Sequence, residues 1–209
     1  MERTTTIDEA KAIMGTNFIG PIELALISSK MDIRVPENVP PIPFSPIELI
    51  NKQKDYILIL GTSQMSNGVP LTLSSMRDRF GINPDVSEPC FYNQDWYLKE
   101  DFFSTSLSVK WFLLRKSIIN ETRSKNPELY LQNISLPSAI SCAFALFSYW
   151  HLYTKILWVN DYIWCIDTDH NGDRIYVGRY IDPEGKNKNG FSVHRHLNIR
   201  NNYGCIDTL

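Results

Sequence analysis

The stretch from Pro137 to Leu157 constrains the fold of this chain most, because it carries no charged side chain before Lys155. Apolar residues recur through it at helical spacing, so we predict one long helix there. A helix that is apolar on most sides is buried, either in a protein core or in a membrane. Serine, tyrosine and histidine residues dilute the apolar run, which favours a core helix over a membrane span.

The C-terminal third of the chain is predicted to be rich in β-structure. Segments 161–167 and 174–181 are composed mainly of the β-branched and aromatic residues typical of strands. Asn171 and Gly172 lie between them and indicate a tight hairpin, in which both central residues have positive φ. A further strand candidate covers residues 190–196.

Helix signals are concentrated in the N-terminal and middle parts. Thr6 with Glu9, and Ser45 with Glu48, have the spacing of a capping box, which satisfies free N–H groups at a helix start. Residues 35–46 form a proline-rich connector in which extended backbone is expected.

These segments together predict one α+β domain over residues 1–209. Helices, mainly from the N-terminal and middle parts, are expected to pack on a mainly antiparallel sheet that ends in a C-terminal β-hairpin and meander. Buried strands are also predicted at 55–61 and 108–116. The composition agrees, because 209 residues with 43% hydrophobic and 12% aromatic side chains can bury one substantial core.

Charge and cysteine usage argue against several classes of protein. The chain has 21 Lys and Arg against 23 Asp and Glu, whereas a general nucleic-acid binder carries a basic excess. We therefore expect no nucleic-acid partner. No apolar secretory signal follows Met1, so we expect a cytoplasmic protein without a membrane association. Widely spaced cysteines without a CxxC pair indicate free thiols; they are Cys90, Cys142, Cys165 and Cys205.

An acidic turn is the first candidate metal site. Asp167, Asp169, Asn171 and Asp173 alternate along the chain, as oxygen ligands do in the first half of a calcium-binding loop. The twelfth position of such a loop needs a glutamate, and here it is Gly178. The alternative is a solvated turn, in which Asp and Asn side chains accept hydrogen bonds from their own backbone.

A pair of histidines is the second candidate metal site. His194 and His196 are two residues apart, so on a strand they share one face and both imidazoles can reach one metal ion. Arg195 between them would face the other way. Two ligands do not complete a site, and the alternative is a pair of surface histidines.

Aromatic residues interleaved with charges mark a candidate partner-binding surface. Trp96 and Tyr97 lie in segment 94–100, and Trp111 lies in segment 110–116. Large aromatic side chains are enriched in protein interfaces. The alternative is that they belong to the core, where such residues are often found.

One loop has the position of a phosphate site without its signature. Residues 61–68 follow a predicted strand and precede a predicted helix, which is where phosphates often bind. The lysine and hydroxyl residue of a P-loop are missing, however. The sequence also lacks the motifs GxSxG, HExxH and SxxK, which mark common hydrolase sites.

Four motifs resemble a group of uncharacterised bacterial proteins, whose patterns read MGxNFxGPEE, QxWYxKE, WxLxRK and DSDGDRVYVG (in shorter form MGxNFxGP and DGDRxYVG). In this chain the motifs are 14–24, 94–100, 111–116 and 169–178. The resemblance implies a shared fold and a bacterial source, with genes that lie among phage or mobile-element genes, and it implies no activity. Ile22 replaces a glutamate of the pattern and Asn171 an aspartate, and the second change weakens a metal site.

From these patterns we expect a non-catalytic binding or accessory protein of a bacterium or its mobile elements. Such a protein would act on a protein partner, without a cofactor and without catalysing a reaction. The alternative is a metal-assisted hydrolase that holds a divalent metal at the acidic turn 167–173 or at the pair of His194 and His196.

Overall fold

The computed structural model describes residues 4–181, 189–195 and 199–209 of the chain. The helices within them are α1 (Ile7–Met14), α2 (Pro21–Met31), α3 (Pro46–Lys52), α4 (Leu73–Phe80), α5 (Asp101–Ser104) and α6 (Ala139–Tyr153). The strands are β1 (Phe18–Ile19), β2 (Tyr56–Leu60), β3 (Trp111–Arg115), β4 (Tyr162–Thr168), β5 (Arg174–Tyr180), β6 (Gly190–His194) and β7 (Tyr203–Gly204).

The strands form two mixed sheets, and with the helices they make an α+β fold, as predicted. The first sheet has the order β1-β2-β3, with β1 parallel and β3 antiparallel to β2. The second sheet has the order β6-β5-β4-β7. Strands β4, β5 and β6 form the predicted antiparallel meander, while β7 runs parallel to β4. The strands are therefore divided between two sheets, where the sequence indicated one.

The C-terminal segment joins the two sheets. Tyr162 donates its backbone N–H to Asn202 at 2.7 Å, next to the short pairing of β4 with β7. Six residues beyond Tyr203, Leu209 exchanges two backbone hydrogen bonds with Leu113 of β3, both 3.1 Å long. The last residues thus extend both sheets, and neither pairing is long enough to leave a strand pattern in the sequence.

Helix α6 is the predicted apolar helix, and it lies in the core. Its first turn is capped by Ser138, whose side chain accepts a hydrogen bond from the backbone of Ser141, and it ends before Thr154, which has a left-handed φ of 54°. It packs against α2, α4, α5, β4 and β5. No helix of the described residues has both the length and the apolar run that crossing a membrane requires.

The two predicted capping sequences begin helices. The hydroxyl of Thr6 accepts from the backbone of Glu9 at 3.2 Å, and that of Ser45 accepts from Glu48 at 3.3 Å. Before α3, the proline-rich connector places the buried side chains of Ile42 and Phe44 in the core. Its backbone carbonyls accept hydrogen bonds from other parts of the chain. The indole of Trp111, for example, donates to the carbonyl of Pro40 at 2.9 Å.

Residues 90–92 cover the outer edge of β6, and this contact requires a glycine. Phe191 donates to the carbonyl of Cys90, and Tyr92 donates to the carbonyl of Phe191, each at 2.8 Å. Next to them, Gly190 has a φ of 152°, and a Cβ atom there would lie 2.3 Å from the backbone nitrogen of Tyr92. Any side chain at this position would therefore separate the two segments.

Replacing this glycine should destabilise the fold. We expect Gly190→Ala to lower the free energy of unfolding by about 3 kcal/mol, because the methyl group overlaps backbone and the φ value is strained for alanine. Gly172→Ala is the matched control, since Gly172 also has a positive φ but has open space around it; we expect a loss of about 1 kcal/mol. Urea denaturation of both variants would measure the difference, and equal losses would contradict the close backbone contact.

Candidate functional site

The acidic turn is a five-residue loop, 169–173, which the carboxylate of Asp169 closes. Its Oδ1 accepts hydrogen bonds from the backbone nitrogens of Asn171 and Asp173, both at 2.9 Å. In this loop only Gly172 has a positive φ, of 84°. The predicted two-residue turn with two positive φ values is therefore wrong, because the Asp169 carboxylate organises a wider loop.

The other oxygen of Asp169 forms an ion pair with Arg195. Nη1 of Arg195 bonds to this Oδ2, and it also lies 3.6 Å from Oε1 of Glu100. The guanidinium stacks over the indole of Trp96, with 4.5 Å between its Cζ and the ring centroid. Since Asp169 and Glu100 are both buried, one arginine compensates two carboxylates that water cannot solvate.

Glu100 also fixes the tip of the loop. Its Oε2 accepts from the backbone nitrogen of His170 at 2.8 Å, and its Oε1 lies 2.7 Å from Nδ1 of the same residue. The side chain of His170 nevertheless stays 64% exposed. The structure therefore presents an imidazole at the surface with its orientation set by a buried carboxylate.

Gln94 selects the tautomer of His194, and burial keeps this histidine neutral. Its Oε1 accepts from the backbone N–H of Val193 at 3.1 Å, so its amide nitrogen faces Nδ1 of His194 at 3.3 Å. Nδ1 must then accept this hydrogen bond, which makes His194 a neutral imidazole protonated at Nε2. Burial agrees with this state, because it lowers the pKa of His194 to about 4.

These contacts join three distant segments into one group, which we name the Arg195 cluster. Its members are Gln94, Trp96, Glu100, Asp169, His170, His194 and Arg195. The sequence placed the aromatic segment, the acidic turn and the histidine pair in three separate candidate sites. Spacing does not single out His170 or Arg195 as site residues. The sequence signal that could have indicated Glu100 is its place as the last residue of the motif QxWYxKE.

The four oxygen ligands predicted in the acidic turn have different surroundings. Oδ2 of Asp167 accepts from the backbone of Ala139 in the first turn of α6 at 2.6 Å, and burial raises the pKa of this carboxyl. Asp169 binds Arg195, while Asn171 and Asp173 are exposed.

In the described ranges, no group of three or more His, Cys, Asp and Glu side chains could hold a metal ion. A divalent metal here stays a prediction.

The remaining predicted site residues are placed as follows. Tyr97 is 0% exposed and Trp111 3% exposed, so both contribute to the core and offer no surface to a partner. Trp96 is half-buried and belongs to the Arg195 cluster. His196 lies outside the described residues, so its predicted pairing with His194 stays a prediction.

The charge on Asp169 should contribute to stability above acidic pH. Burial alone would raise its pKa, but the hydrogen bonds from Arg195 and from the loop backbone outweigh burial and lower the pKa to about 2. The contribution is present above the unfolded-state pKa of about 4 and is lost as pH falls through about 2. We expect Asp169→Asn to lower the free energy of unfolding at neutral pH by about 2 kcal/mol, and to remove this acid dependence. Chemical denaturation at several pH values tests this, with the exposed Asp78→Asn as control; an unchanged acid dependence would contradict it.

Burial should keep His194 neutral, and the contact with Gln94 should be sensitive to a change of the partner. We expect the imidazole of His194 to titrate with a pKa of about 4 when followed by NMR. Gln94→Glu places an acceptor opposite Nδ1 and favours the imidazolium, so the pKa should rise by about one unit or more. A wild-type value near the ordinary histidine pKa would contradict the burial of His194, and an unchanged or lower pKa in the variant would contradict its contact with Gln94.

Comparisons with protein-family models, with curated proteins and with solved structures find no match to this chain.

Proposed function

We propose that this chain is a non-catalytic binding protein, which recognises a protein partner through the exposed side of the Arg195 cluster. The observation that carries the proposal is an unbroken series of contacts. Trp96 stacks on Arg195, Arg195 lies beside Glu100, and Glu100 holds His170. A partner would contact Trp96, His170 and Arg195, which we name the recognition surface.

The recognition surface is organised before any partner binds. The indole nitrogen of Trp96 donates to the carbonyl of Val193 at 3.1 Å, which holds the ring in place beneath Arg195. Two buried carboxylates fix Arg195 and His170 in the same way. Ordering flexible side chains opposes association, so side chains that are already held favour binding. Tryptophan and arginine are also the residues that most often dominate interface energies.

The same contacts favour binding over metal-assisted hydrolysis. A metal ligand or a general base needs a lone pair that faces the metal or the substrate. The carboxylate of Asp169 is instead engaged by Arg195 and by two backbone N–H groups, and that of Asp167 by Ala139. The acidic groups of the loop thus stabilise the hairpin and orient its neighbours.

The proposed setting is the cytoplasm of a bacterium, with the gene among those of its mobile elements. The resemblance of four motifs to a bacterial group supports the source. All four cysteines are buried free thiols, which is consistent with a reducing compartment.

The proposal predicts a partner whose capture depends on the recognition surface. The immobilised protein should retain a specific protein from a lysate of its source cells, whereas His170→Ala and Trp96→Ala should not. Lys125→Ala is the matched control, because Lys125 is exposed and makes none of the cluster's contacts. Titration of the purified partner should show at least about tenfold weaker binding for the two cluster variants, as expected for central interface residues. Binding that is equal in all four proteins, or no captured protein, would contradict the proposal.

A further inference from the structure

A cavity of about 560 Å³ lies beside α3 and the edge of the first sheet. None of the residues that line it belongs to the Arg195 cluster. The residues that decide its chemistry are Ile47, Glu48, Lys52, Asp55, Tyr56 and Arg115. Two of these side chains are cationic and two are anionic. None of the four forms an ion pair with another residue of the described chain.

Arg115 differs from the other arginines of similar burial. The other half-buried arginines of the described chain each pair with a carboxylate; they are Arg77, Arg123, Arg174, Arg179 and Arg195. The guanidinium of Arg115 instead makes one long hydrogen bond, 3.5 Å from Nη1 to the hydroxyl of Tyr56. Its Nε is buried and has no hydrogen-bond partner among the described residues. Nη1 reaches a carboxylate only through the Tyr56 hydroxyl, which itself donates to Asp207 at 2.7 Å. The half-buried guanidinium therefore has no direct charge partner, and an anion beside Arg115 would be stabilised.

A second cation approaches the same aromatic ring. Nζ of Lys52 lies 4.4 Å and Cζ of Arg115 lies 5.7 Å from the centroid of Tyr56. The phenol of Tyr56 donates to Asp207 at 2.7 Å, and burial together with this hydrogen bond raises its pKa to about 12. Tyr56 is therefore neutral near pH 7. The negative charge next to its hydroxyl belongs to Asp207, while two cations lie close to its ring.

The cavity also has an apolar side. Ile47 lines it and is 73% exposed, so its apolar surface is open to a ligand. The ring of Tyr56 adds an aromatic wall. Ligand cavities typically combine such apolar walls with a few charged groups that set orientation. Glu48 and Asp55 contribute negative charge at this cavity. Asp55 is exposed and screened by water, whereas Glu48 is half-buried like Arg115. Lys52 and Arg115 are the two charged groups that lie against the Tyr56 ring.

We propose that this cavity binds a small organic anion, a carboxylate or phosphate monoester attached to an apolar group. Arg115 and Lys52 contact the anionic group, and Ile47 with the Tyr56 ring contacts the apolar body. The proposal is independent of the protein partner inferred above, because the cavity shares no residue with the recognition surface.

The test uses ligands of one shape and different charge. Benzoate and phenyl phosphate should bind in calorimetric or NMR titrations and shift the signals of Lys52 and Tyr56. Benzylamine has the same ring with a positive charge and should not bind, and inorganic phosphate should bind more weakly because it lacks the apolar group. Equal binding of benzylamine, or no binding of either aromatic anion at millimolar concentration, would overturn the proposal.

Variants locate the site. Lys52→Gln and Arg115→Gln should each weaken benzoate binding by about tenfold or more, as expected for the loss of a charged contact. Lys54→Gln is the matched control, because Lys54 lies two residues from Lys52 but does not line the cavity. Lys52 is on the surface of α3, so its replacement tests the site even if the Arg115 variant does not fold. Binding that is unchanged in Lys52→Gln, or that falls equally in Lys54→Gln, would place the anion elsewhere.

Discussion

Burial of α6 is the constraint on which the rest of the structure depends. An uncharged helix of 15 residues must be covered on nearly every side, and elements from the whole chain supply that cover. Phe147 illustrates this, because its ring lies 4.5 Å from that of Phe80, 5.3 Å from Phe91 and 6.2 Å from Phe191, measured between centroids. The ring of Phe147 thus contacts α4, the segment 90–92 that covers β6, and β6 itself. The aromatic segment 94–100 follows residues 90–92 closely in the chain, and its position next to β6 brings Trp96 and Glu100 to the Arg195 cluster.

Charge compensation distinguishes the two surfaces. In the Arg195 cluster every buried charge has a partner inside the protein, so the cluster is rigid and its exposed side is suited to recognition. At the cavity beside α3 the half-buried guanidinium of Arg115 forms no ion pair with a carboxylate of the described residues, and it reaches Asp207 only through the hydroxyl of Tyr56. The two proposals rest on this difference. The exposed side of the Arg195 cluster is proposed to bind a partner by its shape, and the cavity beside α3 is proposed to bind a ligand that places an anion next to Arg115.

Local signals predicted the elements well where a few neighbouring residues determine them. The hydroxyls of Thr6 and Ser45 begin α1 and α3, and the apolar run after Pro137 forms α6. The meander of β4, β5 and β6 was also predicted, because each of these strands has at least five residues. The strand β7 has two residues and pairs only through the tertiary fold, so periodicity does not reveal it. Similarly, the five-residue loop escaped prediction because the Asp169 carboxylate, rather than Asn171-Gly172, organises it.

The sequence by itself determined the fold class, the helix boundaries set by capping residues and the presence of one helix that must be buried. These depend on contacts within a few residues, which spacing alone encodes. Only the tertiary structure decided which polar residues meet. Glu100 and His170 are 70 positions apart and share a hydrogen bond, while Tyr56 and Asp207 are 151 positions apart. Spacing cannot encode such pairs, because they are brought together by the packing of both sheets and the helices around α6.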